Sequence, residues 1–258
     1  MRSTLPMRPL TALIVLASLS LAGCPGEAPP TTEPVMEPAA GTAPPPPLTE
    51  APARPDPAKA TRGIDISVHS GAVDWARVAQ QDFGFAFVKA TEGVDLADPA
   101  FPDHWPAVKD AGLIRGAYHF YVTEDDPHEQ ARFFIENVTL EPGDLAPVVD
   151  VELIGHDTPP GLAERLGIFL ELLEAHYGVK PIIYTSPNFW DAHLTDTFGD
   201  YPLWIAEYGV DEPRTPEGWE AWHLWQWREN VPVDGVEKEA DLSRTHPLEP
   251  GLADLVVP

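Results

Sequence analysis

The sequence predicts an α/β fold: a flattened, incomplete TIM-like (β/α) barrel of eight strands, with its helices concentrated around the first five. Three observations predict it. Eight short segments rich in β-branched and aromatic residues recur along residues 61–258. Helical stretches separate the early ones, which is the pattern of βαβ units and a largely parallel sheet. The last three connections are shorter and carry no clear helix, so a regular ring of eight helices is not expected.

The elements follow in order. "GIDIS" (63–67) is the first strand, and "VDWARVAQQ" (73–81) holds a short helix. "GFAFVKA" (84–90) is the second strand, followed by the helical "FPDHWPAVKDAG" (101–112), whose closing glycine is a usual helix stop. "IRGAYHFY" (114–121) leads into "DPHEQARFFIENV" (126–138), where Asp126 caps and Pro127 opens the helix. "APVVDVE" (146–152) precedes the longest helix, "PPGLAERLGIFLELLEAHYG" (159–178), with apolar positions at three-to-four spacing. "PIIYT" (181–185), "PLWIAE" (202–207), "WHLWQW" (222–227) and "EADLS" (239–243) complete the set.

The segment before this domain differs in kind. Residues 1–23 have arginines at 2 and 8, an apolar run from Leu10 and then small residues, the layout of a secretory signal. The chain's one cysteine, Cys24, excludes an internal disulfide. It ends "LAGC", which resembles a bacterial lipobox and implies cleavage before Cys24 and lipidation there. More than one acyl chain would hold the protein firmly to a membrane. Pro25 after the cysteine implies the outer membrane, facing the periplasm or the cell surface. Twelve of residues 25–60 are proline. Such a stretch cannot offset its ordering entropy by burial, so 24–60 reads as a lipidated, disordered tether reaching at most ~110 Å. The globular domain is 61–258.

A net charge of -25 excludes nucleic acid as an expected partner, because phosphate binding wants a basic surface. No Gly-x-Ser-x-Gly elbow, Gly-rich phosphate loop or zinc-ligand cluster is present, and the nine histidines are scattered. No cofactor and no metal are expected, and a monomer is expected.

The chemistry concentrates in "PVVDVEL" (147–153). Strand side chains alternate faces, so Asp150 and Glu152 point the same way, with Cβ atoms about 6.5–7 Å apart. Val149, Val151 and Leu153 would pack outward against helices. Both acids sit at a strand's C-terminal end, the functional face of a parallel barrel. Crowding and desolvation raise at least one of the two pKa values, which suits protonation of a leaving group beside an ionised neighbour. A structural network with Arg or Lys is the alternative. Asp65 in the first strand and Asp241 in the last would meet at the same mouth if the barrel closes. Tyr118, Phe120 and Tyr184, with Gln226 between two tryptophans, add the aromatic faces and the amide that suit a sugar.

These segments also carry a resemblance. "RGIDISVHSGAVDW", "FAFVKATEG", "AGLIRGAYHFY", "PVVDVE", "PIIYTS", "PLWIAEY", "WQW" and "ADLSR" occur in the order found in the glycoside hydrolase family 25 lysozymes. The resemblance spans about residues 62–246. It implies cleavage of the β-1,4 bond between N-acetylmuramic acid and N-acetylglucosamine in peptidoglycan glycan strands. By position, Glu152 is similar to the general acid, and Asp150 to the residue that orients or stabilises the 2-acetamido group in a substrate-assisted route, the other route being attack by a protein carboxylate as nucleophile. Asp65 and Asp241 are similar to the two further catalytic carboxylates, and Tyr118, Phe120 and Tyr184 to cleft aromatics. Ser70 stands where the family often has Gln, and Thr245 where it usually has Phe. The rival expectations are a non-catalytic peptidoglycan-binding lipoprotein and a hydrolase of another N-acetylated glycan.

Overall fold

The computed structural model describes residues 55–247 and 251–258. The signal peptide, Cys24 and the tether up to residue 54 lie outside the described residues. Residues 57–60, which the proline count assigns to the tether, pack on the domain. The Leu252 amide donates to the Pro57 carbonyl at 2.9 Å, and Ala60 is buried in the cluster that contains Phe85.

Among the described residues nine strands form the sheet: β1 (Arg62–Ile66), β2 (Phe85–Glu92), β3 (Leu96–Ala97), β4 (Ile114–Phe120), β5 (Val148–Asp150), β6 (Ile182–Thr185), β7 (Leu203–Ala206), β8 (Leu224–Val231) and β9 (Ala240–Thr245). Eight of them close into a ring in the order β1-β2-β4-β5-β6-β7-β8-β9, and β9 pairs back to β1. Every neighbour pair is parallel except the two that involve β9. β3 is a two-residue hairpin return on the end of β2, and the alternation pattern gives no sign of it.

Among the described residues five α-helices connect the strands: α1 (Trp75–Val78), α2 (Phe101–Asp110), α3 (Pro127–Asn137), α4 (Pro159–Tyr177) and α5 (Pro187–His193). Their ends follow local chemistry. Asp126 accepts from the amides of His128 and Glu129 with Pro127 behind it, and Thr158 caps α4 by accepting from the Gly161 amide. α5 lies in a connection expected to lack a helix, although Ser186 followed by Pro187 is a start signal for it. The connection between β7 and β8 carries no helix. Indoles cover the barrel there instead: Trp190 and Trp219 lie 4.6 Å apart, and Trp219 Nε1 donates to the Tyr201 carbonyl at 2.7 Å. The ring of strands is therefore complete, and the irregularity lies in its helical coat.

Two apolar clusters follow from strand alternation. The inner one holds Phe85, Phe87, Ile114, Val148, Ile182, Trp204 and Leu224. The outer one joins Ile64, Val88, Val149, Val151 and Ile205 to Leu166, Phe169 and Leu173 of α4. Gly63 and Gly116 make room inside the ring, since a Cβ at either would strike the rings of Phe85 or Phe87 within 2.2–2.4 Å. Residues 251–258 close the end opposite the acids, with the Ala146 amide donating to the Leu255 carbonyl at 2.7 Å. Leu153 does not join the outer cluster as its parity suggested. β5 ends at Asp150, and Leu153 is 56% exposed on the loop beyond it.

Candidate active site

The open end of the ring encloses a cavity of about 390 Å³, lined by Asp65, Tyr118, Phe120, Asp150, Glu152, Tyr184, Gln226 and Asp241, among others. All eight residues expected at the site meet there. Strand register explains how. Asp65 lies beside Asp241 across the β1–β9 junction. Phe120, Asp150 and Tyr184 lie side by side on β4, β5 and β6. Glu152 follows two residues after Asp150, just past the strand, and is exposed where Asp150 is buried.

Gln226 organises half of the cavity. It is 4% exposed. Its Oε1 accepts from the Tyr184 hydroxyl at 2.8 Å and from the Tyr208 hydroxyl. Its Nε2 donates to Asp65 Oδ2 at 3.2 Å and to Asp241 Oδ2 at 3.4 Å. The two hydroxyls and the two acceptors fix which way the amide points. A second chain supports Asp65: Trp204 Nε1 donates to Ser243 Oγ at 3.1 Å, and Ser243 Oγ donates to Asp65 Oδ2 at 2.9 Å. Asp241 Oδ1 also accepts from the Asn230 amide at 2.8 Å.

Burial raises all four carboxylates of the cavity, and the charges of nearby acids add to it. Burial, then the charge of Asp241, holds Asp65 well above the ordinary carboxylate range, against the lowering effect of Ser243 and Gln226. Burial, then Glu152, does the same to Asp150. Glu152 is raised by the burial of its carboxylate against the cavity wall and then by Asp241. Asp241 is raised by burial, offset by the Asn230 amide. Asp65 Oδ1 and Asp150 Oδ1 are buried with no hydrogen-bond partner among the described residues. Such atoms are costly in a folding sense and useful to a ligand that donates to them. Lys89 also lines the cavity, and its charge lowers both Asp150 and Glu152.

Lys89, Trp204, Ser243, Tyr208 and Asn230 are not marked as site residues by the motifs. Ser243 and Trp204 share inward parity with Asp241 and Tyr184, so alternation alone could have found them; Tyr208 and Asn230 sit where alternation gives no order. Ser70 serves the local backbone. It is buried, and its Oγ accepts from the Ser67 amide at 3.4 Å in a capping box at the β1 end. His69 is exposed at the cavity edge. His119 is fully buried away from the cavity. Its Nδ1 lies 2.8 Å from Thr91 Oγ1 and its Nε2 lies 3.1 Å from Gln130 Oε1, and burial lowers its pKa to about 4. It is a neutral structural histidine. Among the described residues no group of three or more His, Cys, Asp or Glu is arranged to hold a metal ion, and no helix is long and apolar enough to cross a membrane.

Residues 64–236 match the model of "Glycosyl hydrolases family 25". YegX of Escherichia coli (strain K12) is 38% identical over 186 residues, covering 70% of this chain and 68% of that protein. The autolytic lysozyme of Clostridium acetobutylicum is 32% identical over 181 residues, covering 70% of this chain and 54% of that protein. Among solved structures, the bacterial lysozyme from Streptomyces coelicolor superposes with a TM-score of 0.71 at 27% identity, covering 76% of this chain and 97% of that one.

Proposed function

The chain belongs to glycosyl hydrolases family 25, and on that footing we propose how it acts as a peptidoglycan muramidase. It hydrolyses the β-1,4 bond between N-acetylmuramic acid and N-acetylglucosamine. Glu152 is the general acid: its raised pKa and its exposed position past the β5 end let it hold a proton and hand it to the glycosidic oxygen. The observation that carries the reading is Asp150 beside it, with one buried carboxylate oxygen lacking any partner.

That oxygen suits the N–H of a 2-acetamido group. As Glu152 protonates the leaving oxygen and the C1–O bond breaks, the acetamido carbonyl oxygen attacks C1 and an oxazolinium forms. Asp150 accepts from its N–H and balances its positive charge. Water then attacks C1, and Glu152, now a carboxylate, takes the water's proton. This is the substrate-assisted exception to the two-carboxylate scheme. Asp65, Asp241 and Gln226 shape the other wall, and Tyr118, Phe120 and Tyr184 offer ring faces to sugar. Asp150 and Glu152 titrate as a pair. Burial favours the proton on Asp150, whereas the reaction needs it on Glu152, so the acetamido N–H at Asp150 would move the proton to where it is used.

The test is a muramoyl oligosaccharide whose 2-acetamido group is replaced by a free amine. Loss of turnover with retained binding is the expected result, with a β-configured product from the acetylated parent. Equal turnover of both substrates would refute substrate assistance. We also propose that Cys24 is lipidated, that 24–54 tethers the domain, and that the monomeric enzyme works at the outer membrane, facing the periplasm or the cell surface. The support is the lipobox-like "LAGC", Pro25 and the proline-rich run.

A further inference from the structure

We propose that the Lys89–Glu92 ion pair is a positioning element that sets the charge of the Asp150–Glu152 pair, holding Asp150 close enough to ionisation for bound substrate to move the proton to Glu152. This rests on the roles given above to those two acids. Lys89 stands on the inward face of β2, with its side chain 12% exposed. Its Nζ lies 2.6 Å from Glu92 Oε2 and 5.0 Å over the Phe120 ring. Lys89 is beside Tyr118, Glu92 is beside Phe120, and Phe120 is beside Asp150.

The pair exists because the strand is irregular. In a regular strand, residues three apart face opposite sides. The β2–β4 register shifts between Lys89 and Thr91, so one extra residue is inserted there. This turns Glu92 onto the face of Lys89 and brings the two side chains together. Bulges that re-aim a side chain recur next to active sites. Gly93 follows at φ 55°, where the hairpin to β3 turns away.

The other groups around the two acids are nearly all acidic or neutral. Asp150 meets Glu152, Lys89 and Glu92, and Tyr118 and Tyr184 stand near it. Glu152 meets Asp241, Lys89 and Glu229. The cavity's second lysine, Lys238, is exposed on the β8–β9 hairpin, where water screens it. Lys89 is therefore the cation that counts at Asp150. Glu92 tempers it, because its own charge opposes that of the ammonium at Asp150.

The experiment compares Lys89→Met, Lys89→Arg, Glu92→Gln and the Lys89→Met/Glu92→Gln double variant in the full chain. Two readouts serve: the pH profile of kcat/KM on peptidoglycan, and carboxyl ¹³C titration of Asp150 and Glu152 without substrate. Lys89→Met should move the profile and the titration to higher pH, by on the order of one unit, the low end of what an opposite charge does to a carboxylate. Glu92→Gln should move the titration of Asp150 to lower pH. The double variant should return toward native, and Lys89→Arg should keep the native profile. No displacement, or displacement of Lys89→Met and Glu92→Gln in one direction, overturns the proposal. If Lys89→Met does not fold, Glu92→Gln should lower the Asp150 titration while Lys89→Arg leaves it native, and a native titration in Glu92→Gln overturns the proposal. Opposite titration shifts in a protein that cleaves nothing would uphold the charge setting and refute the catalytic roles.

Discussion

Gln226→Leu is expected to destabilise the domain by about 3–4 kcal/mol, a figure set by which partners can recover. Four side chains bond to that amide, but they do not lose equally. Tyr208 is partly exposed, and its hydroxyl regains water. Asp241 keeps the Asn230 amide and some solvent contact. Tyr184, at 8% exposure, is buried and cannot, and Asp65, at 6%, keeps the Ser243 hydroxyl but cannot replace its second donor. A buried hydroxyl left without a partner costs ~1–2 kcal/mol, and a charged hydrogen bond lost costs ~1.5–3 kcal/mol. For a domain of this size each kcal/mol shifts Tm by about 2–4 °C, so the melting point should fall by on the order of 10 °C. Calorimetry at neutral pH reads it, and kcat/KM on peptidoglycan should fall with it as Asp65 and Asp241 lose their shared donor. Gln226→Glu should be worse, since it adds a third carboxylate to that wall. A Gln226→Leu protein that melts within about 2 °C of native would refute the hub.

Three further outcomes are expected. Asp150→Asn should abolish turnover yet raise Tm at neutral pH: a carboxylate raised by folding binds more protons in the native state, so stability falls as pH climbs from the ordinary carboxylate range through the raised value. An Asp150→Asn Tm below native at neutral pH contradicts this. Arg115→Met leaves the fully buried Asp144 without its paired contacts at 3.1 and 2.9 Å, and should cost ~3–5 kcal/mol in urea unfolding. An unchanged midpoint would refute that. Raising salt from low levels should speed attack on the acidic wall polymer by screening the charge of -25, and inhibition at every step of a salt series would refute it.

Much of the barrel was legible because its signals are local. Eight segments alternate, Asp126–Pro127 starts α3, and Gly178 at φ 74° ends α4. Asp65 and Asp150 were legible because strand ends in a parallel ring converge, whereas Asp241 joins them from the start of β9 because that strand runs in reverse. What stayed hidden depends on pairing. The β2 bulge that turns Glu92 toward Lys89 is a register event, and β9's reversed direction is set by the β8–β9 hairpin. Tyr208 reaches Gln226 from a loop whose path no periodicity encodes. Leu153 has core parity, but its strand ends three residues too early for it to be used.

The most direct test is digestion of purified peptidoglycan by the native protein beside Glu152→Gln, a change that keeps the side chain's shape and removes its proton. Native protein releasing fragments that end in reducing N-acetylmuramic acid, with none from Glu152→Gln at equal folding, is the expected result. Native release that Glu152→Gln matches would contradict the assignment of the proton to Glu152.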